Sequence, residues 1–434
     1  MGTIRFVGFY QIWVIFSGYV LTQNPPLLKY QWINVEYKWP SIQARQQAII
    51  TKQLIVGNAR IIDVDVYDNG ISPKIIVTTP RFVNGIPAVL STITNETFGN
   101  DPVVAPYPSW EWHQNPELCR MNRLVSVFRI MIDECDRLWV LDTGSINFVP
   151  TCPAQILAFD LKTNMLIHRY EIPNNQLQFN SLLTVPVVDV RNTQTCTGTF
   201  LYIADSRAFA ILVYDVDNKM SWRVTDKTMH AVPDYGTMCV GGSHFELMDG
   251  IQGMALSPYY GGNRVLFYHS LASDTEQWVW TSTLRNLTAF VNTSSPDPDI
   301  FHVYCNRRRT QSSPMGIDRR GVAYFGLAAD TSLNCWNTAS PYGERNILQL
   351  YKNKETLQYL TGLKVIKLKN GTEEVWFVNT RAERIVTGPI NNGLINFRVQ
   401  KAAVDYFGKC QKSKYARRCV EMFKPCRKCY NCII

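Results

Sequence analysis

The sequence predicts an all-β protein: a six-bladed β-propeller of four-stranded blades, stabilised by disulfides. Three observations carry that expectation. A short apolar strand recurs six times at nearly even spacing; a polar turn and a second apolar strand precede it; and the 12 cysteines, an even number, suit a disulfide framework. The copies are Ile75–Thr79, Leu138–Asp142, Leu201–Asp205, Val265–His269, Ala323–Leu327 and Val375–Asn379, and their first residues are 63, 63, 64, 58 and 52 apart. Each is a β-branched or aromatic run, the composition of a strand buried on both faces.

The remaining strands are placed around these copies. Phe128–Ile132 runs into the turn Asp133–Arg137, and Gly253–Leu256 into Gly261-Gly-Asn263. Met315–Ile317 precedes Asp318–Gly321, and Val365–Leu368 precedes Lys369-Asn-Gly371. Asn-Gly and Gly-Asn pairs are hairpin signals. After two copies a third strand ends in Asp and a turn, at Ile156–Asp160 and Leu212–Asp215, and a fourth follows at Ile167–Ile172 and Trp222–Thr225. A four-stranded sheet of this kind cannot cover both of its own faces, so successive sheets stack and six close radially. Two β-sandwich domains are the competing architecture on spacing alone. Little of the chain reads as helix, and the region from Glu36 to Gln53 is ambiguous.

Composition is that of a globular protein: 434 residues, 46% apolar and 12% aromatic. At about 150 residues per domain the length suggests about three domains, although β architectures exceed that size as single units. The formal charge of +9 is unevenly spread, since eight basic residues and one acid from Lys409 onward supply +7 and leave +2 for the rest. The nearly neutral body argues against a nucleic-acid surface. At the N-terminus, Arg5 precedes 16 uncharged residues from Phe6 to Leu21. That run is shorter than the roughly 20 residues of a membrane span and has the form of a secretory signal peptide, cleaved after Ser17 or Thr22. The expected organisation is a signal peptide over 1–22, a propeller over 23–410 and a basic Cys-rich tail over 411–434. Secretion would make the sequons at Asn95, Asn286, Asn292 and Asn370 acceptable glycosylation sites.

The stretch Asp133-Glu-Cys-Asp-Arg-Leu-Trp-Val-Leu-Asp-Thr-Gly144 resembles the insect yellow / major royal jelly protein family. So do Pro80-Arg81 with Gly85-Ile-Pro87, Tyr202–Asp205, Asp249–Pro258, Gln311-Ser-Ser313, Cys335-Trp-Asn337, Thr361–Lys364 and Ile395–Arg398. The resemblance spans Trp32 to Cys410 and implies a six-bladed propeller with disulfides Cys135–Cys196 and Cys335–Cys410. Cys119 with Cys152 and Cys239 with Cys305 then follow by exclusion. The tail, with Cys419, Cys426, Cys429 and Cys432, departs from the family. The Cys426-x2-Cys429-x2-Cys432 spacing is one that zinc accepts, but in a secreted chain disulfides within the tail or between chains are the simpler reading. A basic, Cys-rich end also suits contact with an extracellular matrix.

No Gly-x-Ser-x-Gly or His-Glu-x-x-His motif is present, and no cofactor or resident metal is implied. Strand ends in a propeller share one face near the axis, which makes Asp142, Asp205, His269 and Asn379 candidates for a site; the competing reading is that each caps its own turn. The resemblance implies roles in cuticle or eggshell pigmentation and hardening, dopachrome conversion, nutrition or biogenic-amine binding. In the amine binders the ligand lies in the central channel, beside residues just after the sixth-blade strand. Thr380 and Ala382 stand here where those binders carry Asn and an aromatic, and Arg381 is added, so an anionic catechol product suits this chain better than a cationic amine. The expectation is a secreted protein that binds or converts an indole or catechol intermediate such as dopachrome. If it converts one, Asp142 or Asp205 is the base and Arg381 the stabiliser of the developing enolate, with His269, Asn379 and Thr380 completing the site. The alternatives are a non-enzymatic matrix, storage or amine-binding protein, and a calcium-dependent lactonase.

Overall fold

A computed structural model describes residues 25–291, 299–381 and 393–411. The expected signal peptide, the expected basic tail from Lys412 onward with its four cysteines, Asn292 and Ala382 lie outside those residues. Six sheets surround one axis. Blade 1 comprises Asp63–Tyr67, Lys74–Thr78, Leu90–Phe98 and Asp101–Pro106; blade 2, Val127–Ile132, Arg137–Asp142, Gln155–Asp160 and Leu166–Glu171. Blade 3 comprises Leu183–Asn192, Thr197–Asp205, Ala210–Asp215 and Met220–Thr225; blade 4, Ile251–Leu256, Val265–Ser270, Gln277–Trp280 and His302–Val303. Blade 5 comprises Met315–Ile317, Val322–Leu327, Ser332–Asn337 and Ile347–Lys352. Blade 6 takes Tyr359–Lys367, Glu373–Thr380 and Phe397–Ala403 from the C-terminal end, and its outermost strand, Leu27–Trp32, from the N-terminal end. That antiparallel pairing closes the ring, and Trp32 adds an indole hydrogen bond of 2.7 Å to the Pro102 carbonyl of blade 1.

The six recurring strands of the sequence are the second strands of the blades, one position out from the axis. Their apolar runs follow from burial between two neighbours: Ile75 and Val77 pack with blade 6, whereas Ile76 packs with blade 2. Likewise Tyr202 and Ala204 face blade 4 while Leu201 and Ile203 face blade 2. Six such layers, one between each pair of blades, form the core. Each fully buried Leu, Ile, Val or Phe contributes about 1.5–3 kcal/mol, so these layers hold the ring together.

Blade 1 departs from the four-strand repeat. Glu36–Tyr37 adds to it as a fifth strand, parallel to Asp101–Pro106. The ambiguous region beyond it is a helix, Ile42–Ile50, started by Ser41, whose hydroxyl accepts the Ala44 N–H. Only Ala48 of that helix is buried, so it carries no apolar stripe for the sequence to reveal.

Cys135–Cys196 ties the turns of blades 2 and 3, Cys119–Cys152 pins the loop before blade 2, and Cys335–Cys410 anchors the C-terminal helix Gly408–Gln411 to blade 5. The pairing of Cys239 with Cys305 is corrected. Cys239 is an exposed free thiol, its Sγ 3.7 Å from His244 Nε2, and Cys305 is bonded in a different disulfide. Cys239 sits on a hairpin, Thr237–Val240 with Ser243–Glu246, that folds over the ring against Leu271, Ala328 and Tyr359.

Candidate functional site

Each innermost strand runs from a face that carries the connections between blades to a face that carries tight hairpins. Because the second strand is antiparallel to the first, its end pairs with the start of the innermost strand: Asp142 with Val127, Asp205 with Leu183, and Asn379, one residue from its strand's end, with Leu360. The candidates read from the strand ends therefore lie on the connection face, and there each is committed within its own neighbourhood.

Asp142 is fully buried and accepts the N–H groups of Val125, Ser126 and Gly144, at 2.8, 2.8 and 3.1 Å, and the Gln155 amide at 3.0 Å. Asp205, also buried, accepts Leu182 N–H and the Ser181 hydroxyl and pairs with Arg223 at 2.8 Å. Asn379 accepts Tyr359 N–H and donates to the Thr356 carbonyl. All three side chains fix the segment that leads into the innermost strand of their own blade. His269 bridges Glu276 at 2.9 Å and the Ser313 carbonyl at 3.2 Å, and burial holds its pKa below the usual value. It packs so closely on Gly253 that a β-carbon there would lie 2.3 Å from Nε2. Thr380 is buried beside the Asn379 pairing, and Arg381 is held by Glu355 at 2.6 Å and the Ile395 carbonyl at 2.8 Å. No hydrogen bond or ion pair joins Asp142, Asp205, His269 and Asn379 to one another. Asn95, Asn286 and Asn370 are exposed.

Under-used polar groups lie at the other end of the axis. A cavity of about 730 Å³ opens on the hairpin face and is walled by the innermost strands, with Met131, Val187, Met254, Met315 and Leu363 among its apolar lining. The charged residues on those strands that line it include Asp65 of blade 1, Arg129 of blade 2 and Lys364 of blade 6, with Lys367 at the end of the blade 6 strand. The Asp65 carboxylate accepts Ile132 N–H and Val66 N–H, both at 2.8 Å. Burial nonetheless pushes its pKa up to about 7, with neighbouring Asp63 adding to the rise and Lys364 opposing it. Lys364 is ion-paired with Asp63 at 2.9 Å. Nearer the rim, Glu134 is also raised by burial. Such an arrangement, an apolar pocket with a few fixed charges and a carboxyl that titrates near neutrality, can move a proton to or from a bound molecule. Among the described residues no cluster of His, Cys, Asp or Glu is placed to hold a metal ion.

Asp65, Arg129 and Lys364 were absent from the sequence-based candidates. Their signal is a charge at an alternating position inside an otherwise apolar strand, as in Asp63-Val-Asp-Val and Val127-Phe-Arg-Ile.

Fold and cavity together define a six-bladed β-propeller with an axial pocket. The profile of the major royal jelly protein family matches residues 125–411. Over 400 residues the chain is 30% identical to dopaminechrome tautomerase of Drosophila melanogaster, covering 90% of this chain and 84% of that protein. It is 36% identical over 392 residues to major royal jelly protein 8 of Apis mellifera, covering 87% and 90%. Protein yellow of Drosophila subobscura is 30% identical over 389 residues, covering 86% of this chain and 65% of the other. The chain belongs to the major royal jelly protein family.

Proposed function

We propose that this chain is an extracellular protein of catecholamine-derived pigmentation or hardening, in cuticle or eggshell, that isomerises an aminochrome such as dopachrome in its axial cavity. The observation that carries the reading is the Asp65 carboxyl, buried in the pocket wall and titrating at about 7. The relative named for a tautomerase and the relative named yellow favour pigment chemistry, and the disulfides favour an oxidising compartment.

In aminochrome tautomerisation two protons leave saturated ring carbons and two quinone oxygens each gain one, with no net oxidation. Asp65 takes the first proton as its C–H bond breaks. The electron pair passes through the ring to a quinone oxygen, where negative charge collects and which takes a proton from water. A second C–H proton then leaves to water, the other oxygen is protonated in the same way, Asp65 releases its proton to solvent, and the diphenol results. A base with a pKa near the working pH suits this step. Arg381 and the strand-end aspartates have no part in it, because their hydrogen bonds are committed on the opposite face.

The test follows the decay of freshly prepared dopachrome with purified protein against a heat-denatured control. Saturable acceleration is expected. No acceleration at any protein concentration would leave a family member that binds without turnover, in a matrix, storage or amine-binding role.

A further inference from the structure

At the inner end of the axial cavity, beside Val185 and Pro314, lies the charged side chain of Arg129. Arg129 leaves the third position of its strand and crosses the axis from blade 2: Nη1 donates to the Gln252 carbonyl of blade 4 at 2.7 Å, and Nη2 to the Thr361 carbonyl of blade 6 at 2.5 Å and to Ser313 Oγ, leading into blade 5, at 3.2 Å. Gln252 and Thr361 lie below the cavity, whereas Met254 and Leu363, two residues further along the same strands, line it. The guanidinium is therefore the floor that separates the pocket from the connection face.

Those three bonds leave two of the five guanidinium N–H groups unused. One is Nε, which is buried and has no partner among the described residues. Among the described residues no carboxylate forms a salt bridge with Arg129, although it is only 3% exposed; Asp63, the carboxylate that acts on it through space, is already paired with Lys364. An uncompensated buried cation with idle donors is unfavourable by itself and becomes favourable when an anionic or strongly accepting oxygen is brought to it. Neutral cross-axis links would need no charge there.

We propose that Arg129 is the anchor for the oxygen-bearing edge of an aromatic ligand, vicinal hydroxyls or an ortho-quinone, standing upright in the cavity. This rests on the axial cavity being the ligand site. The spacing agrees with an upright fused bicycle: Ile130 N–H meets Asp63 and Ile132 N–H meets Asp65, so Asp65 stands two residues, roughly 7 Å, nearer the rim. A ligand with its oxygens on Arg129 presents its saturated ring carbons at the height of Asp65. During isomerisation the same guanidinium faces the oxygen on which charge collects.

The test is anaerobic equilibrium binding of 5,6-dihydroxyindole and of indole to the full chain, as wild type, Arg129→Gln and Asp65→Asn. Wild type is expected to prefer the diol at least tenfold, Asp65→Asn to keep the preference, and Arg129→Gln to lose it. Wild type binding both equally, or folded Arg129→Gln keeping the preference, overturns the anchor. Should Arg129→Gln not fold, Arg129→Lys is read instead: retained charge without the planar fork should lower the preference, and an unchanged preference overturns the proposal. Arg129-dependent diol binding without dopachrome turnover supports the anchor while defeating conversion. Turnover with no diol preference defeats the anchor alone, and neither binding nor turnover defeats both.

Discussion

The two ends of the propeller axis carry the same kinds of residue put to opposite uses. On the connection face Asp142 and Asp205 are buried carboxylates whose oxygens are filled by backbone amides, a side-chain amide, a hydroxyl and an arginine. On the hairpin side Asp65 is equally buried, but it borders open space, carries only two backbone hydrogen bonds and is pushed to about 7. Arg223 and Arg129 differ in their partners: each leaves its Nε without a hydrogen bond among the described residues, but the first faces the Asp205 carboxylate at 2.8 Å, whereas the second holds only neutral carbonyls and a hydroxyl. A buried charge that is fully answered stabilises the fold. One that is partly answered, beside a cavity, has capacity left for a ligand.

Substitution should separate the two ends. The largest effect is expected from Asp65→Asn, which removes the proton acceptor and should lower the rate of dopachrome isomerisation by about 10²–10⁴-fold. Its stability cost should be only about 1–3 kcal/mol, because the amide nitrogen must then face one of the two N–H donors. Asp205→Ala should do the reverse. It leaves the half-buried Arg223 and the buried Leu182 N–H without their partner, so denaturant titration should show a loss of about 3–5 kcal/mol while the rate per folded molecule stays at the wild-type value. A fall in turnover with Asp205→Ala at full folding would break the comparison.

The pH profile sharpens it further. Asp65 acts deprotonated, so kcat/KM should rise with pH and level off above about 7, falling tenfold per unit below it. Lys364 holds that pKa down, and Lys364→Met should shift the acid limb to higher pH, at some cost in stability because Asp63 loses its ion pair. An acid limb that does not move on this substitution would remove Asp65 from the reaction.

The fold was legible because the second strands, packed between two neighbours, must be apolar throughout, and their spacing survives any loop. The site was not legible from those same strands. The polar ends at Asp142, Asp205 and Asn379 lie on one face, but hydrogen bonding commits each to its own connecting segment, and His269 is held between Glu276 and the Ser313 carbonyl. What mattered lay on the innermost strands, where the sequence runs differ more: Met315–Ile317 has three residues and Leu183–Asn192 ten, so no common period marks them. Arg381 shows the same limit, since its partner Glu355 is 26 residues away and no local pattern joins them.

The smallest effect concerns the hairpin that covers the connection face. Cys239 is exposed and free there, whereas Cys135–Cys196 closes a loop of 61 residues between blades. Breaking the latter with Cys135→Ser should cost about 2–4 kcal/mol. Cys239→Ser removes no buried contact and should change stability by less than about 0.5 kcal/mol, with turnover unaffected because the hairpin lies beyond the Arg129 floor. Peptide mapping after alkylation without reduction should find Cys239 labelled. Recovery of a Cys239–Cys305 peptide, or a stability loss comparable to that of Cys135→Ser, would mean that this hairpin is covalently fastened and that the closed end of the axis is held by more than packing against Leu271, Ala328 and Tyr359.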